Sequence, residues 1–385
     1  MTLRINLYGN VCNNAYVIAK FLRRHGVDAH LFVERDFNFL PEHEDPELAQ
    51  GYPDWIHVTG DLRLRRYGVF DQDFVRRLGD CDLVHVFYWG PIWARQTGRP
   101  FVFQTYGGDL SVMPFMTDSL HHRYLAHRQR QGIRAANEIF LTMPNNVYCT
   151  DAARQLNPRT RFLPIPTDAD RFAPVPEEVT APIRARYGRE LLFFHPARQS
   201  WLTSHPRDRK GNDRLLRAFA RFVRDGWDVL LHAAAYGPDV AASQQLVKEL
   251  AIERHVEWIA PVRQHELIQL YGAADAVLDQ FVLGDFGGCS REAWACGKPV
   301  FVYLESSADM LGKEPPAINV QTEDEIYRAL SDYAKDPRAL RELGTASRAW
   351  LLEHLHTDAL APRYIDAYRE ILGASIAPAR SVGGA

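Results

Sequence analysis

The sequence predicts an α/β protein made of two doubly wound parallel sheets, one in each half of the chain. Three observations carry this. Short apolar runs alternate with helical segments in both halves, the pattern of strands covered on both faces and joined by crossover helices. Between the halves lies a stretch from Pro164 to Pro182 that is rich in proline and polar residues and suits a connector better than a sheet or helix interior. At 385 residues and 46% hydrophobic, the chain is long enough for two cores.

In the first half, Arg4 to Tyr8, Asp28 to Val33, Leu83 to Phe87, Phe101 to Thr105 and Glu138 to Thr142 read as short buried strands. In the second half, Leu191 to His195, Asp228 to Ala233, Val256 to Ile259, Ala276 to Asp279 and Val300 to Tyr303 repeat the pattern. Past Glu323 the text turns helical through Leu355, and a last helix covers about Thr357 to Leu372. The domains are placed at 1–174 and 186–356, followed by a helical segment 357–374. The remainder, 375–385, holds Pro378 and Gly383-Gly384 and is expected to be a disordered tail.

A formal net charge of −3 argues against a protein whose main task is binding nucleic acid. The five cysteines (Cys12, Cys81, Cys149, Cys289, Cys296) are odd in number, widely spread and without C-x-x-C spacing. Neither a disulfide framework nor a zinc site is signalled, and a reducing compartment is expected. Because the histidines lack metal-ligand spacing, no metal and no cofactor are expected. Met1 to Tyr8 is too short for a signal-peptide core, and no run approaches the roughly 20 apolar residues of a spanning helix. The expected location is cytoplasmic, at most peripheral to the inner face of a membrane.

The most informative stretch runs from Gly284 through Asp285, Phe286, Gly287, Gly288, Cys289 and Ser290 into Arg291-Glu292. Small residues after a short apolar run let a backbone pass close to a ligand and open a helix, whose free N–H groups attract anions. Phosphate repels a carboxylate, so Glu292 suits a ribose or sugar hydroxyl. Upstream, His195-Pro196-Ala197-Arg198 follows a strand, and Lys210-Gly211 precedes a helix. Arg198 and Lys210 are thereby placed to reach the carboxyl edge of the sheet and neutralise a diphosphate. The loop Gly9-Asn10-Val11-Cys12-Asn13-Asn14 lacks the G-x-G-x-x-G of a dinucleotide fold. Its asparagines suit sugar hydroxyls and equally a helix N-cap with a tight turn. Arg123, His127, Arg130 and Arg134 share one face of a helix expected over Asp118 to Ala136. That face is either solvated or a contact for an anionic acceptor or membrane head groups.

These features resemble the retaining GT-B glycosyltransferases of family 4 over nearly the whole chain. Phe162 to Pro174 is similar to the family's interdomain segment I-P-N-G-V-D-x-x-R-F-x-P. Glu292-Ala293-Trp294-Ala295-Cys296-Gly297-Lys298-Pro299-Val300 resembles its E-A-x-A-x-G-x-P-V signature. The resemblance implies two Rossmann-like domains facing across a cleft, acceptor side first and donor side second, with the terminal helix crossing back to the first. It implies that Arg198 and Lys210 bind the donor diphosphate, and that Glu292 binds the ribose. Gly284, Asp285, Gly287, Gly288, Cys289, Ser290 and His195 would complete the donor site, with Gly9, Asn10, Asn13 and Asn14 on the acceptor or sugar side. Thr105 to Leu110 resembles the family's H-G-x-D segment, with Asp109 kept and Tyr106 in the His place, which by the resemblance sets Tyr106 and Asp109 beside Arg198 and Lys210 as the catalytic residues. Gly284 stands where the family often has a Glu. The implied function is transfer of a sugar from a UDP- or GDP-linked donor, with retention, to a glycan, lipid-linked or small-molecule acceptor in bacterial surface polysaccharide or glycoconjugate synthesis. A nucleotide-sugar 2-epimerase of the same fold and a non-catalytic sugar-nucleotide or glycan binder are the alternatives.

Overall fold

A computed structural model describes residues 2–35, 40–60, 62, 70–142, 147–203, 208–305 and 313–376. The chain divides into two compact units, Met1–Pro166 together with the terminal helix, and Thr167–His356.

The first unit holds a seven-stranded parallel sheet formed by β1 (Arg4–Tyr8), β2 (Asp28–Glu34), β3 (Ile56–Thr59), β4 (Leu83–Val86), β5 (Phe101–Gln104), β6 (Glu138–Leu141) and β7 (Thr160–Phe162), in the order β3-β2-β1-β4-β5-β6-β7. Helices α1 (Asn14–Arg24), α2 (Gln72–Leu78), α3 (Gly90–Ala94), α4 (Gly108–Ser111), α5 (Leu120–Ala135) and α6 (Val147–Leu156) connect the strands. The central strand β4 is buried along its whole length, as expected where helices cover both faces of a parallel sheet. The terminal helix Thr357–Ile376 packs on the same core through Tyr364 and Tyr368, both fully buried. Their hydroxyls are satisfied. The Gln104 amide donates to Tyr364 at 2.8 Å, and Tyr368 pairs with His85 Nδ1 at 2.7 Å. The helix continues to Ile376, two residues into the expected tail, and the rest of that tail lies outside the described residues.

The second unit holds β8 (Leu191–His195), β9 (Val229–Ala234), β10 (Val256–Ile259), β11 (Ala276–Leu278), β12 (Val300–Val302) and β13 (Ile318–Asn319), paired in parallel in the order β10-β9-β8-β11-β12-β13. Its helices are α7 (Glu177–Tyr187), α8 (Asn212–Arg224), α9 (Val240–Glu249), α10 (Gln264–Ala273), α11 (Gly288–Ala295), α12 (Glu323–Lys335) and α13 (Pro337–His354). Residues 167–174, which the sequence reading assigned to the first domain, pack with this unit. Thr167 donates its N–H to Leu355 O at 2.8 Å and pairs with His356, while Phe172 is buried beside Trp294 and Trp350.

Both sheets are of the doubly wound parallel type that the sequence predicts. In each, the strand order reverses once, between β1 and β4 in the first unit and between β8 and β11 in the second. The crevice outside the carboxyl ends of such a strand pair is where ligands of these sheets bind.

Candidate active site

The glycine turn occupies the second unit's reversal point. Gly287 is the N-cap of α11 and supplies no side-chain hydrogen bond to the helix's first N–H groups. An uncapped amino terminus directed away from a sheet edge is a ready anion site. Around it, side chains shape the backbone. Gln280 accepts from the N–H groups of Val282 and Leu283 at 3.1 and 2.8 Å and donates to the Asp285 carbonyl. Asp279 accepts from the Ser290 hydroxyl at 2.5 Å, so Ser290, fully buried, has its side chain committed to the fold and offers a ligand its amide. Gly284 adopts φ +71°, and a Cβ there would come within 2.7 Å of Glu305 Cγ. Asp285 is buried beneath the turn, and burial pushes its carboxyl up to about 7, opposed by the Phe286 N–H, Arg291 and Lys210 and reinforced by Glu305.

Arg198 and Lys210 are drawn together by the backbone. The buried Asn212 amide donates to Arg198 O at 3.2 Å and its carbonyl accepts from Ser200 N–H at 2.9 Å. Lys210 donates its N–H to Ser200 O at 2.7 Å and accepts from Phe281 N–H at 2.9 Å, which ties the start of α8 to the end of β11. Between them Gly211 holds φ +76°, with room for no more than a tight Cβ 3.1 Å from Phe281. The Arg198 guanidinium pairs with Asp208 at 3.2 Å. Glu292, on the first turn and a half of α11, accepts from the Tyr271 hydroxyl at 2.8 Å. Burial, then the Glu292 charge, raises that hydroxyl well above the ordinary phenol range, so it remains a donor.

His195 has both ring nitrogens engaged within the fold. It is buried, Nδ1–H donates to Leu278 O at 2.6 Å and Nε2 accepts from Asn212 at 2.8 Å. Both ring nitrogens are therefore used in bracing β8, β11 and the start of α8, and burial lowers the pKa so that the ring stays neutral.

The first unit gathers the remaining candidates. Asp109 is buried, with Oδ1 accepting from Thr105 Oγ at 2.6 Å, Tyr106 N–H at 2.9 Å and Gly107 N–H at 3.0 Å. Burial raises its carboxyl to about 6 against the pull of those donors. Tyr106 stacks on Phe87 with centroids 5.3 Å apart. Burial, then Cys12, raises its hydroxyl well above the usual phenol range, with Asn14 alongside pulling the other way, so it keeps its proton. Gly9 holds φ +98° with a hypothetical Cβ only 2.5 Å from Phe87 O. Asn10 donates to Asn13 Oδ1 at 2.7 Å and accepts from Tyr16 N–H at 3.0 Å, which gives these two asparagines a loop-forming role. Of the basic stripe, Arg123, His127 and Arg134 are exposed, whereas Arg130 is half-buried and donates to Pro114 O.

Sequence reasoning missed Asn212 and Tyr271 as site residues. A signal for the first exists: Asn212 occupies the apolar stripe 212, 215, 216, 219 of α8, where a polar residue needs an internal partner.

Residues 203–350 match the family described as glycosyl transferases group 1. The chain is 31% identical over 205 residues to a GDP-mannose-dependent alpha-(1-6)-phosphatidylinositol monomannoside mannosyltransferase of Mycolicibacterium smegmatis, covering 50% of this chain and 51% of the relative. It thus spans about half the length of that protein. It is 24% identical over 315 residues to a 2-deoxystreptamine glucosyltransferase of Streptomyces kanamyceticus, covering 78% and 80% of the two chains. The structure of Anabaena HepE in complex with UDP-glucose superposes with a TM-score of 0.70 at 16% identity, over 96% of this chain and 100% of that one. The fold is that of GT-B proteins, and the resemblance to the group 1 glycosyltransferases holds.

Proposed function

We propose that this chain is a retaining glycosyltransferase that binds a nucleotide-diphosphate sugar in its second unit. The observation that carries the reading is the uncapped amino terminus of α11 behind a glycine turn, at the sheet's reversal point, with Arg198 and Lys210 tied to the same edge. As the bond from the anomeric carbon to the diphosphate oxygen breaks, charge grows on the diphosphate. The two cations and the amides of Gly288 to Ser290 are preorganised to stabilise it. A new bond forms from the anomeric carbon to the acceptor oxygen, and the acceptor's proton passes to the departing phosphate. No strong protein base is demanded, in keeping with a Tyr106 that retains its proton.

Glu292, oriented by Tyr271, would accept from the ribose hydroxyls, and Asp109 would fix the Thr105 to Gly108 loop beside the acceptor. His195 is assigned as a positioning residue. One relative is named for GDP-mannose and the Anabaena structure contains UDP-glucose; both belong to the proposed donor class. Among the described residues no helix is long and apolar enough to cross a membrane, and the exposed Arg123, His127 and Arg134 would favour a peripheral contact with an anionic surface. A role in bacterial glycoconjugate synthesis fits these features.

The test is sugar transfer with UDP-, GDP-, ADP- and CMP-linked sugars across a panel of acceptors. Arg198→Ala and Lys210→Ala should each lower turnover at least about a hundredfold in a folded protein. Near-normal rates in both variants would overturn the assignment. Nucleotide-sugar binding without turnover on any acceptor would leave a binding protein.

A further inference from the structure

The glycine turn ahead of α11 carries one aromatic side chain, Phe286, between Asp285 and Gly287. Its ring meets two tryptophans edge-on: Trp294 of α11, with centroids 5.2 Å apart and planes at 62°, and Trp350 of α13, at 6.1 Å and 88°. Trp294 and Trp350 meet each other at 5.6 Å and 71°. The three rings therefore close a triangle in which every pair has the edge-to-face geometry that aromatic quadrupoles favour. Both tryptophans are buried, and Phe286 is half-buried.

The Trp350 indole is fixed on its other side, where Nε1–H donates to Lys313 O at 3.0 Å. A buried indole needs such a partner, and the bond sets the plane of the ring. α13 also holds the far end of α11. A Cβ on Gly344 would come within 2.2 Å of Gly297 O, so the two backbones touch just past the last turn of α11. Trp350, further along α13, reaches the turn that precedes its first. One helix thus grips the other at its end and ahead of its start.

Glycines let the turn approach a ligand and, for the same reason, leave it little stiffness of its own. Amides that face a growing charge act through preorganisation, and a displacement of about 1 Å can cost about a hundredfold in rate. We propose that Trp350 is a positioning residue of the donor site: through Phe286 it sets the glycine turn against α13 and so aims the amides of Gly288, Cys289 and Ser290 at the departing diphosphate. Buried at 4% exposure, it meets no ligand itself. The proposal rests on the transferase reading above and names what holds its anion site in register. A packing role alone would cost stability and leave turnover as it was. A positioning role costs turnover more than binding, because charge on the diphosphate is greatest in the transition state.

The experiment compares the full chain with Phe286→Leu, Trp350→Leu, Trp350→Phe and the double leucine variant. It reads kcat and KM for the nucleotide sugar, nucleotide affinity by calorimetry, and amide exchange at Gly288 to Ser290 under saturating nucleotide. Each leucine variant should lower kcat about tenfold while nucleotide affinity changes less than about threefold. The double variant should be about as slow as the slower single one, because both changes remove the same contact. Nucleotide should protect the three amides less in the leucine variants, and Trp350→Phe, which keeps a ring edge for Phe286, should recover most of the protection and the rate. Phe286 is half-buried, so Phe286→Leu is the milder change and decides alone if Trp350→Leu does not fold. Turnover within about twofold of the native rate in folded leucine variants, or losses that multiply in the double variant, would reduce the triangle to packing and overturn the proposal. A native chain that binds no nucleotide would overturn the donor-site reading itself, and the proposal with it; native binding with indifferent variants overturns the proposal alone.

Discussion

Under the proposed assignment, single residues in the second unit divide into those that would meet a ligand and those that hold the first group in place. Glu292 is assigned to the first kind and Tyr271, which donates to it, to the second. Glu292→Gln should weaken nucleotide affinity by roughly 1 to 3 kcal/mol, the worth of a hydrogen bond to a charged group. Unchanged affinity by calorimetry would reduce Glu292 to a partner of Tyr271. Asp285 makes a separate prediction about pH. Its carboxyl is raised to about 7 in the folded chain from an ordinary value of 3.8, so the folded state binds the extra proton. Stability contributed by this group is therefore present at low pH and lost as pH rises from about 4 through 7, by about 1.4 kcal/mol for each pH step of one within that window. Asp285→Asn should flatten that part of the profile in urea denaturation at pH 5 to 8; an unaltered slope would contradict the assignment. Gly284→Glu restores the residue usual in the family, yet it places a side chain at φ +71° against Glu305. It should cost about 1 kcal/mol or more in stability and reduce transfer; a strong rise in transfer would mean that the native chain is a degenerate member. Residue types at this site were legible in sequence, whereas their partners were not. His195 reads as a donor contact by position, and only the approach of Leu278 and Asn212 to its two nitrogens shows it to be a brace.

Elements were more legible than partners, for a physical reason. Strands covered on both faces, such as β4 and β8, are apolar but for one buried histidine each, His85 and His195, and stand out as runs. The three that sequence reading passed over, β3, β7 and β13, lack such runs: β3 buries only its two ends, β7 is a three-residue strand with an exposed start, and β13 has two residues. The element proposed to face the ligand is α11, whose opening is the most exposed to test. Gly287 has φ −102° and only Asp279 Oδ2 at 4.0 Å from a hypothetical Cβ, so a side chain is tolerated there. Gly287→Ser should supply the missing cap, leaving stability equal or a few tenths of a kcal/mol higher. The same hydroxyl would occupy an amide that the diphosphate needs, and nucleotide affinity should fall several-fold by calorimetry. Lower stability with unchanged affinity would contradict the role given to this helix end.

On the scale of the whole molecule, each unit keeps its own core and its own reversal point, and the two reversal points are lined by different residue types. The second unit offers free amides, Arg198 and Lys210 to an anion. The first is lined by Glu34 and aromatic rings. A formal net charge of −3 conceals this division, since a sum over the chain says nothing of where the charges converge. The central claim is that a nucleotide diphosphate rests on the amino terminus of α11. Amide hydrogen exchange on the full chain, with and without saturating UDP and GDP, tests it most directly. The account predicts that one nucleotide slows exchange at Gly288, Cys289 and Ser290, with protection much reduced in Lys210→Ala. Nucleotide binding that leaves these three amides unprotected would contradict it.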